Sequence, residues 1–156
     1  MLLTGQFEHS IDAKSRLAIP SEIRSRWRAE EHGAGWYAVP WPGPMIRLYP
    51  EVEFERRYRA GPLTLTPGED EAELQATLFG ESILLEMDSV GRIRLPEDML
   101  ALLSMPREVV LVGAGDRLEV RSRDQWRRDR AARLAKLPEL ISRLGRAGAP
   151  GRGSQR

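Results

Sequence analysis

Short segments in which apolar and polar residues alternate recur along this chain. In residues 17–19 and 93–95 every second side chain is apolar, as in a strand that buries one face. Two further pairs of short apolar segments are separated by turns rich in proline or glycine: 36–39 with 45–49, and 109–112 with 117–121. The pattern predicts a β-rich α+β fold in which short strands alternate with helices.

The two alternating segments belong to an internal repeat. Both copies follow D-x-x-x-R-(L/I)-x-(I/L)-P, and the offset from Asp12 to Asp88 is 76 residues. The later apolar segments 36–39 and 45–49 also correspond to 109–112 and 117–121. Phe54 lies eight residues after Ile46, and Trp126 lies eight residues after Leu118. We therefore predict two copies of one architecture within a single chain.

Each copy is predicted to follow the order β-β-α-β-β-α. An extended segment, 6–11 or 82–87, leads into a turn that begins with aspartate, whose carboxylate accepts hydrogen bonds from backbone NH groups two positions on. The alternating segment follows, which predicts a hairpin. Pro20 and Pro96 then stand where a helix begins, because proline at the first helical position loses no hydrogen bond.

Additional helices are predicted outside the hairpins. Thr66-Pro67-Gly68-Glu69 resembles a capping box and predicts an acidic helix over 67–79, and the Ser-x-x-Gln spacing from Ser122 predicts a last helix that reaches Lys136 or beyond. The final residues carry too little apolar surface to form a core. The predicted organisation is a first repeat at 1–60, a linker with an acidic helix at 61–80, a second repeat with a C-terminal helix at 81–144, and a disordered tail at 145–156.

Composition excludes several classes of function. The 156 residues are 41% hydrophobic and 30% charged, which is typical of a soluble globular protein. The absence of cysteine and the presence of only two histidines exclude disulfides, thiolate zinc sites and three-histidine metal sites. The first residues show no basic segment followed by an apolar one, and no stretch of about 18 apolar residues occurs, so we expect neither export nor a membrane span. We predict an intracellular protein with no catalytic residues, metal, cofactor or membrane span.

Charge is distributed unevenly along the chain. The formal net charge is +1, but residues 121–156 hold 11 basic and 3 acidic residues, against 13 basic and 20 acidic ones before them. Arginine makes up 22 of the 24 basic residues, which suits phosphate and base recognition but equally fits codon bias in a GC-rich genome. The basic C-terminal region is expected either to attract DNA or to contact the acidic part of a neighbouring subunit.

Residues 8–20, together with the second D-x-x-x-R copy, resemble the MraZ family, and the resemblance extends over about residues 1–140. It implies a transcriptional regulator of the bacterial division and cell-wall gene cluster, located in the cytoplasm at the nucleoid. It also implies two tandem SpoVT/AbrB-like swapped-hairpin repeats that form an intramolecular pseudo-dimer barrel. The implied partners are double-stranded DNA with direct promoter repeats and further copies of the chain in a ring. Ser15 departs from the glycine usual in this family.

The repeated turns supply the candidate binding residues. An arginine fork four residues after the turn aspartate can bind phosphates or guanine edges. An ion pair with that aspartate is the competing interpretation, and the resemblance favours DNA binding for Arg16. Lys14 near the hairpin tip suits phosphate contact. The predicted DNA-binding residues are Lys14, Arg16, Arg92, Arg94 and Arg24, and the predicted turn-structuring residues are Asp12 and Asp88.

Two functions from different classes compete at this stage. The first is a DNA-binding transcriptional regulator, and the second is an antitoxin-like or assembly module that mainly binds protein. The duplicated motif with its acidic insert favours the regulator, because ordinary antitoxins of the implied fold carry one copy. A hydrolase is disfavoured because no nucleophile and base occur at a suitable spacing, and His9 has no partner histidine.

Overall fold

The computed structural model describes residues 1–61 and 64–147. It consists of two compact units, Met1–Asp124 and Gln125–Arg156, of which the second is described as far as Ala147. The strands of the described residues are β1 (Gln6–Ser10), β2 (Arg16–Ala18), β3 (Gly35–Trp41), β4 (Met45–Pro50), β5 (Ile83–Glu86), β6 (Arg92–Arg94), β7 (Glu108–Gly113) and β8 (Leu118–Ser122). The helices are α1 (Ser21–Arg24), α2 (Ala29–His32), α3 (Glu51–Ala60), α4 (Glu69–Gly80), α5 (Glu97–Leu102), α6 (Arg123–Arg128) and α7 (Arg130–Ala147).

The strands form two antiparallel sheets. Six strands pair in the order β1-β7-β8-β4-β3-β5, and β2 pairs only with β6 in a separate two-stranded ribbon. Strand β1 therefore pairs with β7 from the later part of the chain, and β5 pairs with β3 from the earlier part. This exchange confirms the β-rich α+β class and the swapped arrangement implied by the family resemblance.

The local hairpin predicted around each aspartate is wrong in one respect. The turns form, since the Asp12 backbone NH donates to the Arg16 carbonyl at 3.1 Å and the Asp88 NH donates to the Arg92 carbonyl at 2.8 Å. Beyond each turn, however, the two arms enter different sheets instead of pairing with each other. The reason is that the other copy supplies the apolar partner for each arm, as Leu17 lies opposite Ile93 in the ribbon.

One hydrophobic core joins the ribbon to the six-stranded sheet. Leu17 and Ile93 are completely buried, and the same cluster contains Ile46, Leu111 and Val120 from the sheet. These residues come from both copies of the repeat. Because each copy completes the core of the other, the ribbon has one buried face and one face that remains outside the core.

Several predicted helix boundaries are corrected. Pro20 and Pro96 are the residues before the helices, and their carbonyls accept the first helical hydrogen bonds, from Arg24 at 3.0 Å and Leu100 at 3.1 Å. The acidic helix α4 begins at Glu69 after Gly68 and has no side-chain cap. The predicted capping box is wrong because the Thr66 backbone NH and hydroxyl contact the Thr64 hydroxyl.

The predicted last helix is divided into α6 and α7, with Asp129 between them. Helix α7 extends to Ala147, so residues 145–147 of the predicted disordered tail are helical. The prediction for residues 148–156 lies outside the described residues. Within residues 1–61 and 64–147, no helix has both the length and the apolar character needed to span a bilayer.

Candidate nucleic-acid interface

The first turn is built around the carboxylate of Asp12. One carboxylate oxygen accepts hydrogen bonds from the backbone NH groups of Lys14 and Arg16, both at 2.9 Å. The other accepts a hydrogen bond from Nε of Arg16 at 2.7 Å. Asp12 therefore fixes the turn and the direction of the arginine side chain with the same group.

The second turn repeats this arrangement. Asp88 accepts hydrogen bonds from the backbone NH groups of Val90 at 3.0 Å and Arg92 at 2.9 Å, and from Nε of Arg92 at 2.8 Å. The ion pair considered from the sequence is thus present in both turns. Each aspartate accepts its side-chain hydrogen bond from Nε of the arginine. The turns therefore do not use the two terminal amino groups of that arginine, Nη1 and Nη2.

The ribbon places basic residues of both turns on one surface. Arg16 lies directly opposite Arg94, and Arg92 lies opposite Ala18. Since Leu17 and Ile93 are completely buried, the alternation of side chains along the strands puts these arginines on the opposite face. We call this face, together with the exposed Lys14, the ribbon surface.

The ribbon surface carries like charges at close range. Arginines that lie directly opposite each other on antiparallel strands destabilise the pair. Asp12 and Asp88 balance Arg16 and Arg92, but no ion pair is found for Lys14 or Arg94 among the described residues. This surface is therefore suited to an anionic partner.

The two turns hold each other through backbone hydrogen bonds. The carbonyl of Ser15 accepts a hydrogen bond from the NH of Leu95 at 2.8 Å, and the carbonyl of Gly91 accepts one from the NH of Ile19 at 2.9 Å. The tip of each turn is thus attached to the strand that follows the other turn. The ribbon surface is consequently a single rigid element.

The turns differ in what packs against their tips. Gly91 has a φ of 82°, and a side-chain carbon there would lie 2.2 Å from Cδ of Arg24. Arg24 donates to the carbonyl of Ile19 at 3.0 Å and to that of Val90 at 3.3 Å, so it bridges the two copies. The position equivalent to Arg24 in the second copy is Leu100, which lies beside Ser15 in a cavity of about 410 Å³. This space explains why serine fits in one turn and glycine in the other.

Ser15 adopts a left-handed conformation with φ of 61°. It is 1% exposed, and its hydroxyl has no hydrogen-bond partner. A non-glycine residue in this conformation costs about 1–3 kcal/mol, and an unpaired buried hydroxyl costs about 1–3 kcal/mol. Ser15 therefore stores strain at the tip of the first turn.

Replacing Ser15 by glycine should raise the free energy of unfolding by about 1–5 kcal/mol. Glycine is more flexible than serine in the unfolded chain, which costs the fold about 0.4–1 kcal/mol. The free energy gained by relieving both unfavourable contributions is larger than this cost. Urea denaturation measures the difference. Ser104→Gly is the matched control, because Ser104 also has a positive φ, of 49°, but is exposed. A gain no larger than that of the control would contradict the contribution of the buried hydroxyl.

The turn aspartates also make the fold sensitive to acid. The backbone NH of Arg16, aided by its guanidinium, holds the pKa of Asp12 below the ordinary value of 3.8, and Arg92 does the same for Asp88. A carboxyl whose pKa is lowered by folding stabilises the protein above its unfolded-state pKa, and this contribution is lost as the pH falls through the folded-state pKa.

Asp12→Asn and Asp88→Asn, combined, should therefore lower the melting temperature at neutral pH but have progressively less effect below about pH 4. Thermal unfolding from pH 2 to pH 7 checks this expectation, with Asp98→Asn on α5 as a control outside the turns. A difference between parent and double variant that stays constant down to pH 2 would show that the two carboxylates do not act by ionisation.

The structure brings together most of the predicted site residues. Lys14, Arg16, Arg92 and Arg94 lie on the ribbon surface, whereas Arg24 makes contacts that hold the two copies together. Sequence reasoning missed Arg107, whose guanidinium donates to the carbonyl of Asp12 at 2.6 Å. No feature of the local sequence indicated this contact, since the two residues come from different copies. The described residues contain no cluster of three or more groups that would hold a metal ion.

Fold and site define a class of protein in which two interleaved copies present a basic two-stranded ribbon; the second copy follows the predicted order β-β-α-β-β-α, and the first differs from it by the additional short helix α2. Residues 78–138 match the family model for MraZ proteins, which its description also calls antitoxin-like. The transcriptional regulator MraZ of Neisseria meningitidis is 33% identical over 144 residues, covering 90% of this chain and 94% of the relative. The transcriptional regulators MraZ of Mesoplasma florum and Alkaliphilus metalliredigens are 28% and 30% identical, covering 90% and 80% of this chain and 96% and 84% of the relatives. The chain belongs to the MraZ family of transcriptional regulators.

Proposed function

We propose that this protein regulates transcription by inserting the ribbon surface into the major groove of DNA, without catalysis or cofactor. The observation that carries the proposal is the pair of arginines, Arg16 and Arg94, that face each other outside the core. The major groove is about 12 Å wide and admits a two-stranded β-ribbon, and arginine is the commonest side chain that reads guanine there. The DNA sites would be direct repeats upstream of the division and cell-wall gene cluster.

The roles of the individual residues follow from their contacts. Arg16 and Arg94 would contact base edges, with Arg16 oriented by Asp12, which binds its Nε at 2.7 Å. Lys14 is exposed at the tip of the first turn and would contact a phosphate. Arg92 would also contact DNA, oriented by Asp88, but it lies opposite Ala18 and so outside the facing pair of arginines.

Arg24 has a second role in this proposal. Its guanidinium bonds to two carbonyls of the ribbon region, and it would contribute to DNA binding by positioning the second turn as well as by its charge. The two repeats at 1–60 and 81–144 would then form one binding unit, joined by the linker at 61–80. The cytoplasm, at the nucleoid, is the location that this function requires.

The protein would act as a homo-oligomer, and a ring is the form we propose, because unlike charges are concentrated in different parts of the chain. Helix α4 begins with Glu69, Asp70 and Glu71, all exposed, whereas α7 carries five basic residues and a single acidic one. Contacts between unlike surfaces of successive copies close into a ring when the rotation permits. Several ribbon surfaces would then bind spaced repeats together, so that weak single contacts add through effective concentration.

The proposal predicts a preference for the DNA upstream of the protein's own gene over a scrambled sequence of the same composition. Fluorescence anisotropy measures the affinity, and a salt range of about 50–300 mM follows the release of counterions. The logarithm of the affinity should fall steeply with the logarithm of the salt concentration, by about 0.9 for each phosphate neutralised. An Arg152→Ala, Arg156→Ala variant checks that the C-terminal arginines are not the source of the slope.

Equal affinity for native and scrambled DNA would contradict the proposal and favour the antitoxin-like, protein-binding alternative, which the description of the family model supports. A slope near −1 would mean that a single phosphate contact is made, contrary to the engagement of several ribbon surfaces. Light scattering on the same samples gives the mass of the oligomer, and a monomer would contradict the ring.

A further inference from the structure

Aromatic residues are concentrated on one surface of the first unit, away from the ribbon. Of the ten aromatic residues in the chain, six lie on the side of β3 and β4 opposite the core or on the helices α3 and α4: Tyr37, Trp41, Tyr49, Phe54, Tyr58 and Phe79. The rings of Tyr37 and Phe54 stack at 4.5 Å, and Phe79 contacts Tyr58 edge-on at 5.2 Å. The surface is a continuous aromatic patch.

This patch lines an open cavity of about 230 Å³. Its walls include Trp41, Tyr49, Phe54 and Phe79, together with Arg47 and Arg57. We call this cavity the aromatic pocket. Concave sites with mostly apolar walls and a few polar groups are typical of small-molecule binding.

Arg47 has only weak partners in the aromatic pocket. Its guanidinium lies 3.7 Å above the ring of Trp41, its Nη1 donates a long hydrogen bond to the Tyr49 hydroxyl at 3.4 Å, and its Nε is buried without a hydrogen-bond partner. The nearest carboxylate is that of Glu119, whose Oε2 is 3.8 Å from this Nε. The two residues lie opposite each other on β4 and β8 and form a loose ion pair, because this distance is too long for a hydrogen bond.

Glu119 is already balanced by other arginines. It accepts hydrogen bonds from Nε of Arg117 at 2.9 Å and from Nη2 of Arg121 at 2.6 Å. Burial raises the pKa of Glu119, but these two arginines outweigh burial and hold the pKa below its ordinary value. The carboxylate is therefore ionised but shared among Arg47, Arg117 and Arg121, so that it neutralises the charge of Arg47 only in part.

The aromatic pocket is not a requirement of the repeated fold. In the second copy, the positions that correspond to Tyr37, Arg47 and Tyr49 are Val110, Glu119 and Arg121. The equivalent strands β7 and β8 form without these aromatic side chains. The first copy thus carries aromatic rings that its fold does not need, next to an arginine that is only partly neutralised by Glu119.

We propose that the aromatic pocket binds a small planar aromatic anion. Its ring would pack among Phe54, Tyr58 and Phe79, and its carboxylate, sulfonate or phosphate group would pair with Arg47. A guanidinium presents a planar fork that suits such oxyanions, and its hydrogen bonds to them are stronger than those between neutral groups.

Fluorescence titration of the full-length protein with 8-anilino-1-naphthalenesulfonate tests this proposal. We expect saturable binding at one site per chain and a loss of affinity of about tenfold or more in Arg47→Gln, as for a lost hydrogen bond to a charged group. Arg59→Gln, which removes an exposed arginine of helix α3 that does not line the aromatic pocket, should bind like the parent. The uncharged analogue N-phenyl-1-naphthylamine should bind the parent and Arg47→Gln equally.

Phe79→Trp provides a second variant that leaves every charge in place and fills the aromatic pocket, so it should also weaken binding of the sulfonate. Circular dichroism melting checks that each variant is folded. Equal affinity of the parent and both pocket variants would overturn the proposal. Binding that increases as the oligomer is diluted would also overturn it, because a second copy of the chain would then occupy this surface.

Discussion

Replacing Arg16 by alanine is expected to remove most specific DNA binding while leaving fold and oligomer mass unchanged. The side chain is part of the ribbon surface and lies outside the core, so its loss should cost the fold no more than a surface ion pair, about 0–1 kcal/mol. A bidentate arginine contact contributes about 1–3 kcal/mol of discrimination. Because an oligomer repeats the loss in each bound subunit, the affinity for the operator should fall by more than about 100-fold.

Asp12→Ala separates this role from that of the ion pair. It removes the two backbone hydrogen bonds of the turn as well as the partner of Arg16, so we expect a lower melting temperature and a smaller loss of DNA affinity than for Arg16→Ala. Arg92→Ala should affect DNA binding less, because Arg92 lies opposite Ala18 and not opposite another arginine.

Melting temperature, mass and operator affinity of the three variants decide between the two interpretations of the turn. If the ion pair were the only role of Arg16, Arg16→Ala and Asp12→Ala would lower stability to a similar extent and leave DNA binding intact. An Arg16→Ala protein that binds its operator as the parent does would contradict the site proposed here.

The parts of this site that the sequence predicted are those that depend on neighbours along the chain. The turns could be predicted because Asp12 and Asp88 bond to NH groups only two and four residues ahead. The short strands could be predicted from alternation, since Leu17 and Ile93 are the only side chains of β2 and β6 that enter the core. Local geometry was sufficient in both cases.

The strand exchange could not be predicted from alternation, because the period of a strand does not identify its partner. Strand β1 pairs with β7, about a hundred residues later in the chain, and only the family resemblance pointed to such an exchange. The same limit applies to Arg24, which a sequence pattern presents as a surface arginine. Its contact with the Gly91 turn exists only once the two copies have interleaved.

Reversing the charge of α4 should dissociate the proposed ring and weaken DNA binding at the same time. Glu69, Asp70, Glu71 and Glu73 are all exposed, and lysine at these positions would repel the basic α7 of a neighbouring copy. Light scattering at moderate salt should then show smaller species. Operator affinity should fall by about 10²–10⁴, the range that avidity contributes, although the ribbon surface is unchanged.

A complementary variant makes this test specific. Arg130→Glu, Lys136→Glu and Arg146→Glu on α7 should by themselves also dissociate the oligomer, and mixing this protein with the α4 variant should restore large species through the exchanged charges. Glu30→Lys with Glu31→Lys on α2 is the control for added positive charge away from α4. Because the α4 variant keeps its ribbon surface, it should still bind a single repeat weakly, and this residual binding distinguishes loss of assembly from unfolding. An α4 variant that retains the mass of the parent would contradict a ring held together by these helices.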